Sequence, residues 1–282
     1  MAAARPRRSA RPDRIEVHLT GVPETMLWPL WNRAAEADRS APLIDDPLAR
    51  DLVQRIRYDF RRKFGRPNRL FAVRARVCDD CLQDYLNRCD KAATVIALGE
   101  GLETQLYRFK QRSLQWFSVD VYEAIELRRK LLANDKRQTL LACSALDTTW
   151  MDRLPDGAMP FISAAGLFMY FKARDVRHLL RAIADRFPGA ELFFDTIPPL
   201  VSRSSTLGLP VTRHYRAPRM PWGIRIDDIA KFARDAGGWE AQQVLHYGQA
   251  YPEMTPAYSL MASVTPLRRT LSGALVLLKA PH

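Results

Sequence analysis

No apolar run in this chain approaches the roughly 20 residues that a membrane-spanning helix needs, so a transmembrane segment is not expected. The first fourteen residues, rich in Arg, Ala and Pro, lack the apolar core of a secretory signal and read as a disordered basic tail. Cysteine is scarce: Cys78, Cys81, Cys89 and Cys143 do not make a disulfide scaffold in 282 residues. Cys78-x-x-Cys81 has metal-site spacing, but neither a second cysteine pair nor a His-x-His lies nearby to complete four ligands. It falls in a run with helical character, residues 73–86, so both thiols read as half-buried helix positions and no metal is expected. A reducing cytoplasm fits this usage. Acidic residues are outnumbered, 31 against 43 Lys and Arg, leaving a net charge of +12 with arginines crowded between Arg55 and Arg76. The chain has no helix-turn-helix, zinc-finger or aromatic-basic strand signature, which argues against nucleic acid. A solvated basic face or an acidic protein partner remains.

What is present centres on residues 93–104, Ala-Thr-Val-Ile-Ala-Leu-Gly-Glu-Gly-Leu-Glu-Thr. The apolar run Val95 to Leu98 stopped by Gly99-Glu100-Gly101 has the form of a buried parallel strand followed by a sharp turn. Two glycines one residue apart allow the backbone to approach a ligand closely. About twenty residues on, a second strand-like run, Trp116 to Val119, ends in Asp120, whose carboxylate suits both hydroxyls of a ribose. The third position of the dinucleotide fingerprint is Thr104, and no Gly-Lys-Ser/Thr is present, so a nucleoside ligand without phosphates fits better than NAD or a triphosphate.

The first ninety residues read as mostly helical. Asp46 is placed to cap a helix beginning at Pro47, and a further helix covers about Leu70 to Asn87. From Ala93 strands and helices alternate: strands at about 94–98, 116–119, 139–144, 160–164 and 191–195, with a strongly amphipathic helix over 172–187. Residues 197–222, with prolines at 198, 199, 210, 218 and 221, show no periodicity and read as an irregular lid loop. A helix at 226–236 and strands at 241–246 and 274–279 complete the chain. The expected fold is α/β: a doubly wound, mostly parallel, Rossmann-like sheet over residues 92–282, with a helical N-terminal cap over 15–91. Ligands in such sheets bind at the carboxyl ends of the strands, where Gly99, Asp120, Ser144 and Ala165 all fall.

Several segments in order carry a resemblance. Leu19-Thr20-Gly21-Val22-Pro23-Glu24-Thr25, Arg33-Ala34-x-Glu36, and Pro42-Leu43-Ile44-Asp45-Asp46-Pro47 are followed by Leu98-Gly99-Glu100-Gly101-Leu102-Glu103-Thr104 and Val119-Asp120-Val121. Asp147-x-x-Trp150, Gly166-Leu167-x-Met169-Tyr170 and Trp222-Gly223-Ile224 come later. Together they resemble the leucine carboxyl methyltransferase family in its broad sense, and within it the tetracenomycin-type polyketide O-methyltransferase branch. The resemblance implies a class I fold using S-adenosylmethionine. By position it implies that Gly99 and Gly101 line the methionine part and that Arg74 pairs with the methionine carboxylate, a good bidentate match. It likewise implies that Asp120, with Val121, holds the ribose and that Ser144, Ala145 and Leu146 surround the adenine. Three positions depart from the pattern: Glu103 for Asp, Ala165 for the Glu before Gly-Leu, and Ser144-Ala145 for the acid at the adenine amine. A missing buried polar partner costs about 1–3 kcal/mol, so these departures predict weakened cofactor binding.

The expected activity is O-methylation of a carboxylate or hydroxyl of a small, polyketide-like molecule. Trp28, Trp31, Tyr170 and Trp222 are the candidate acceptor-binding residues, and His214 and Tyr215 are candidate bases for a hydroxyl acceptor. A protein C-terminus as acceptor, and a non-catalytic homologue that binds an acidic carrier protein through residues 55–76, are the alternatives.

Overall fold

The computed structural model describes residues 14–89, 92–111 and 113–282. The basic tail expected over 1–14 lies, Arg14 apart, outside the described residues. The N-terminal region contains β1 (Ile15–Glu16), α1 (Leu27–Ala37), α2 (Pro47–Arg55), β2 (Ile56–Arg57), α3 (Phe60–Phe64) and α4 (Leu70–Asn87), with β1 and β2 pairing in parallel. Helix α2 starts as its sequence dictates: the Asp46 carboxylate accepts from the Ala49 N–H at 3.0 Å, and Pro47 occupies the first turn where no N–H is needed.

The alternating region follows as β3 (Thr94–Leu98), α5 (Gln105–Arg108), β4 (Gln115–Asp120), α6 (Tyr122–Leu131), β5 (Gln138–Ala142), β6 (Phe161–Ala164), α7 (Ala173–Arg186) and β7 (Glu191–Asp195). After it come α8 (Pro199–Thr206), β8 (Pro210–Thr212), β9 (Tyr215–Arg216), α9 (Ile229–Asp235), β10 (Glu240–His246), α10 (Tyr247–Ala250), α11 (Pro256–Ser263), α12 (Thr265–Leu271) and β11 (Ala274–Lys279). The central seven-stranded sheet has the order β10-β11-β7-β6-β3-β4-β5. Strands β7 to β5 in that order run parallel, whereas β11 is antiparallel to both β7 and β10. From β3 the chain winds outward through β4 to β5, then returns to the other side of β3 as β6. The direction reverses there, which opens a crevice at the carboxyl ends of β3 and β6.

Both sheet faces are covered, which is why β3 is apolar throughout. Its Ile96 and Leu98 join a core with Val176, Leu180 and Ile183 of α7. Val95 and Ala97 join a second core with Val73, Val77 and Leu82 of α4. Helix α4 thus packs directly on the sheet, while α1, α2 and α3 form a third cluster with Leu102 and with Leu127 and Leu131 of α6.

Residues 197–222 differ from the irregular loop expected of them. They form α8 and the β8–β9 hairpin. Helix α8 escapes periodicity because its inward side is partly serine: Ser202 Oγ donates to the Met220 carbonyl at 2.7 Å, and the Met220 N–H donates to Ser205 Oγ at 2.9 Å. Helices α10 to α12, which precede the last strand, had no counterpart in the sequence pattern, being short and built on local packing.

Candidate active site

The turn after β3 is left-handed at both glycines, φ 61° at Gly99 and 53° at Gly101. A Cβ on Gly101 would come within 2.7 Å of Met26 Cβ, so the turn lies directly under the start of the cap. Two buried arginines hold its carbonyls. Arg128 of α6 donates from Nη1 to the Gly101 and Glu103 carbonyls (2.8 and 2.9 Å), and Arg33 of α1 donates from Nη2 to the Leu102 carbonyl (2.8 Å). Arg33 also meets Asp46 Oδ2 at 3.0 Å and Glu103 Oε2 at 2.8 Å, with its side chain only 2% exposed. Arg108 of α5 completes the network through Glu103 (3.0 Å) and Asp79 (2.7 Å). Burial by itself raises the Glu103 pKa, but the Arg33 and Arg108 charges outweigh it and hold the carboxyl at about 2. The longer arm of Glu103 therefore serves to tie the turn to the cap and α5, although it also borders the crevice. Behind the turn, burial pushes Glu100 up to about 7 against the pull of Arg128, whose Nη2 lies 3.1 Å away.

Asp120, at the end of β4, accepts from the N–H groups of Gly101 (2.7 Å) and Val121 (2.8 Å). Burial raises its pKa in spite of those two bonds. Each oxygen accepts one of these bonds and so keeps acceptor capacity, and Asp120 lines the crevice. At the end of β7, Asp195 accepts from Arg74 Nη1 at 3.1 Å, from Tyr247 Oη at 2.9 Å and from the Gly166 N–H. Burial first, and then the Asp195 charge, push Tyr247 well above the ordinary phenol value, so it stays protonated and donates. Gly166 is also left-handed (φ 75°), and a Cβ there would meet Arg74 Nη1 at 2.7 Å.

These groups border one cavity of about 530 Å³, which runs from the glycine turn out beneath the cap and the α8–hairpin segment. Arg74, Gly99, Gly101, Glu103, Asp120, Val121, Ser144, Ala145 and Ala165 all line it; Leu146 does not. The outer half is apolar, with Met26, Trp28, Phe71, Met169, Tyr170 and Met220 among its walls. Burial raises the Tyr170 pKa, which makes its hydroxyl a hydrogen-bond donor at neutral pH rather than a base.

Besides Leu146, four expected site residues lie outside that lining. Trp31 stacks on Phe60 at 5.7 Å and donates from Nε1 to the Gly65 carbonyl. Trp222 is 5% exposed and packs in the main core between Phe168, Phe194 and Phe232. Tyr215 docks the hairpin on the cap, its ring 4.9 Å from that of Phe64. His214 sits at the exposed hairpin turn, its Nε2 accepting from Arg213 Nε at 2.9 Å. The three aromatic residues Trp31, Tyr215 and Trp222 thus belong to the cap or core packing around the cavity, and His214 to the hairpin turn. Conversely, Asp195 and Tyr247 were not singled out in the sequence. Asp195 was visible as an acid ending an apolar strand, the same signal that picked out Asp120; Tyr247 had none.

The family model for leucine carboxyl methyltransferase matches residues 27–184 of the chain. The tetracenomycin polyketide synthesis O-methyltransferase TcmP of Streptomyces glaucescens is 30% identical over 190 residues, covering 66% of this chain and 70% of that protein. An S-adenosyl-L-methionine-dependent methyltransferase of Gibberella zeae, dpfgK, is 31% identical over 192 residues, covering 62% of this chain and 64% of its own length. Among solved structures, a putative methyltransferase from Thermobifida fusca aligns over 90% of this chain and 94% of that one, with a TM-score of 0.58 at 16% identity, a likeness of fold.

Proposed function

The chain belongs to the leucine carboxyl methyltransferase family and uses S-adenosylmethionine, and from that premise we propose that it O-methylates a small, flat, polyketide-like molecule bearing a carboxylate or an acidic hydroxyl. The observation that carries the proposal is the division of the cavity. One end presents the glycine turn, Asp120 and the Arg74–Asp195 pair; the other presents aromatic and methionine walls.

The inner end fits the cofactor. The turn there is closely packed, since a Cβ at Gly99 would strike the Leu167 side chain at 2.6 Å and one at Gly101 would strike Met26 at 2.7 Å, and both glycines border the crevice. Bound there, the cofactor supplies a methyl group on a sulfonium, open to in-line displacement. The chain's own part is to hold and orient the two reactants and to keep water out. Trp28 and Phe71, whose rings lie 5.4 Å apart, give the acceptor a face to stack on. Among the described residues lining the cavity there is no histidine, and Tyr170 holds its proton. An acceptor already ionised near neutral pH, such as a carboxylate, needs no base to react.

Incubation with methyl-labelled cofactor and a panel of aromatic carboxylic acids, acidic phenols and simple alcohols tests this reading. Label is expected in the organic extract, on acids before alcohols, and released as methanol by mild base where the product is an ester. Label recovered in protein rather than in small molecules would overturn it.

A further inference from the structure

We propose that Asp195 is the receptor for the α-ammonium group of the cofactor's methionine end, acting with Arg74 as a matched pair for that zwitterion. The inference rests on the cofactor reading above and extends it to a residue outside the glycine turn and the ribose acid. Arg74 and Asp195 both line the inner cavity, with side chains 10% and 5% exposed, and are joined Nη1 to Oδ2 at 3.1 Å. A guanidinium carries five donors and a carboxylate offers about four lone pairs, so neither group is used up by this contact. Asp195 Oδ2 receives Arg74 and the Tyr247 hydroxyl, and Oδ1 receives the Gly166 N–H, which leaves one acceptor position on Oδ1.

Charge balance points to the ligand. A buried ion pair that admitted a lone anion or a lone cation would be left with an uncompensated charge in a dry site. An α-amino acid brings one of each, one carbon apart, so its carboxylate extends the contacts of Arg74 and its ammonium those of Asp195. Backbone geometry fixes where the acid must be. Strands β6 and β7 are parallel and in register through Ala164 and Phe194; Ala165, the first residue beyond β6, and Asp195, the last of β7, follow at the strand ends and both line the cavity. Neighbouring strands in a sheet lie about 4.8 Å apart, so the two strand ends open onto the same part of the cavity. Ala165 brings no charge there, and the only carboxylate of the two is Asp195.

Calorimetry with S-adenosylhomocysteine and with its analogue lacking the α-amino group tests the assignment without any turnover. Wild-type protein is expected to bind the complete ligand about 10- to 100-fold more tightly than the deamino analogue, the worth of a charged hydrogen bond. Asp195→Asn is expected to lose that factor on the complete ligand and to bind the deamino analogue as wild type does. Placing a longer acid on the neighbouring strand, Ala165→Glu in the D195N protein, is expected to restore discrimination between the two ligands. If D195N weakens both ligands equally, Asp195 only positions Arg74 and the proposal fails. If wild type binds both ligands alike, it fails before any variant is made. Wild type that binds neither overturns the cofactor reading and this inference with it.

Discussion

Arg33→Met is the sharpest test of how the cap and the glycine turn depend on each other. The substitution keeps the length and apolar stem of a side chain that is 2% exposed but removes every polar contact it makes. The Leu102 carbonyl loses its donor, Asp46 loses its partner at 3.0 Å, and Glu103 loses one of its two cations. Breaking one side of a buried ion pair costs about 3–5 kcal/mol, because the remaining carboxylate keeps its desolvation penalty. Arg108 still reaches Glu103 at 3.0 Å and Asp46 at 3.5 Å, so the lower end, about 3 kcal/mol, is expected. In a domain of this size that lowers Tm by about 6–12 °C.

The pH dependence supplies an independent reading. Glu103 is held at about 2 in the folded protein against an ordinary 4.5, a depressed carboxyl. Its contribution is therefore fully present above pH 4.5 and is lost as pH falls from there toward 2. Because about a quarter of the side chain is exposed, solvent screening trims the roughly 3 kcal/mol that such a shift would represent if fully buried. Differential scanning fluorimetry of wild type and R33M across pH 7 to 3 measures both effects: a gap at neutral pH that narrows on acidification. A gap of less than about 2 °C at pH 7, or one that stays constant down to pH 3, would refute the argument that this network fastens the cap.

Gly101→Ala forces a residue with a Cβ into φ 53° and against Met26, at a cost of about 1–3 kcal/mol; calorimetry should show at least a tenfold loss in S-adenosylhomocysteine affinity. Trp222→Ala empties a core position and is expected to cost about 3–5 kcal/mol in denaturant unfolding, while the acceptor KM of the folded enzyme stays near wild type. His214→Ala, remote from the cavity, should leave kcat within about twofold and its pH profile unmoved, whereas loss of a true general base would remove about 10²–10⁴-fold.

The site was legible where the chemistry is local. A glycine turn needs its glycines in sequence, and Asp120 ends its own strand, so both declare themselves within a short window. Strand β3, helix α4 and the cap at Asp46 follow for the same reason, since propensity and capping act over a few residues. Trp222 and Trp31 read like acceptor walls because an aromatic beside a motif looks the same whether it faces a cavity or a core. His214 looked like a base because a histidine in a polar, proline-rich stretch carries no mark of which way its turn points.

By itself, then, the sequence determined the alternating β/α order, the glycine turn, the acid that ends β4 and the family. Each rests on neighbours along the chain. Only the tertiary structure decided which charges meet. Arg33 and Glu103 are 70 positions apart, and Arg74 and Asp195 are separated by 121. Such pairs form because the helices of the cap and the strand ends of the sheet converge on one crevice, where a buried charge must find its opposite. The turn found at residues 99–101 thus borders a crevice that the cap, α6 and β7 complete: two arginines hold its carbonyls, and Asp195, from another strand, lines the same cavity.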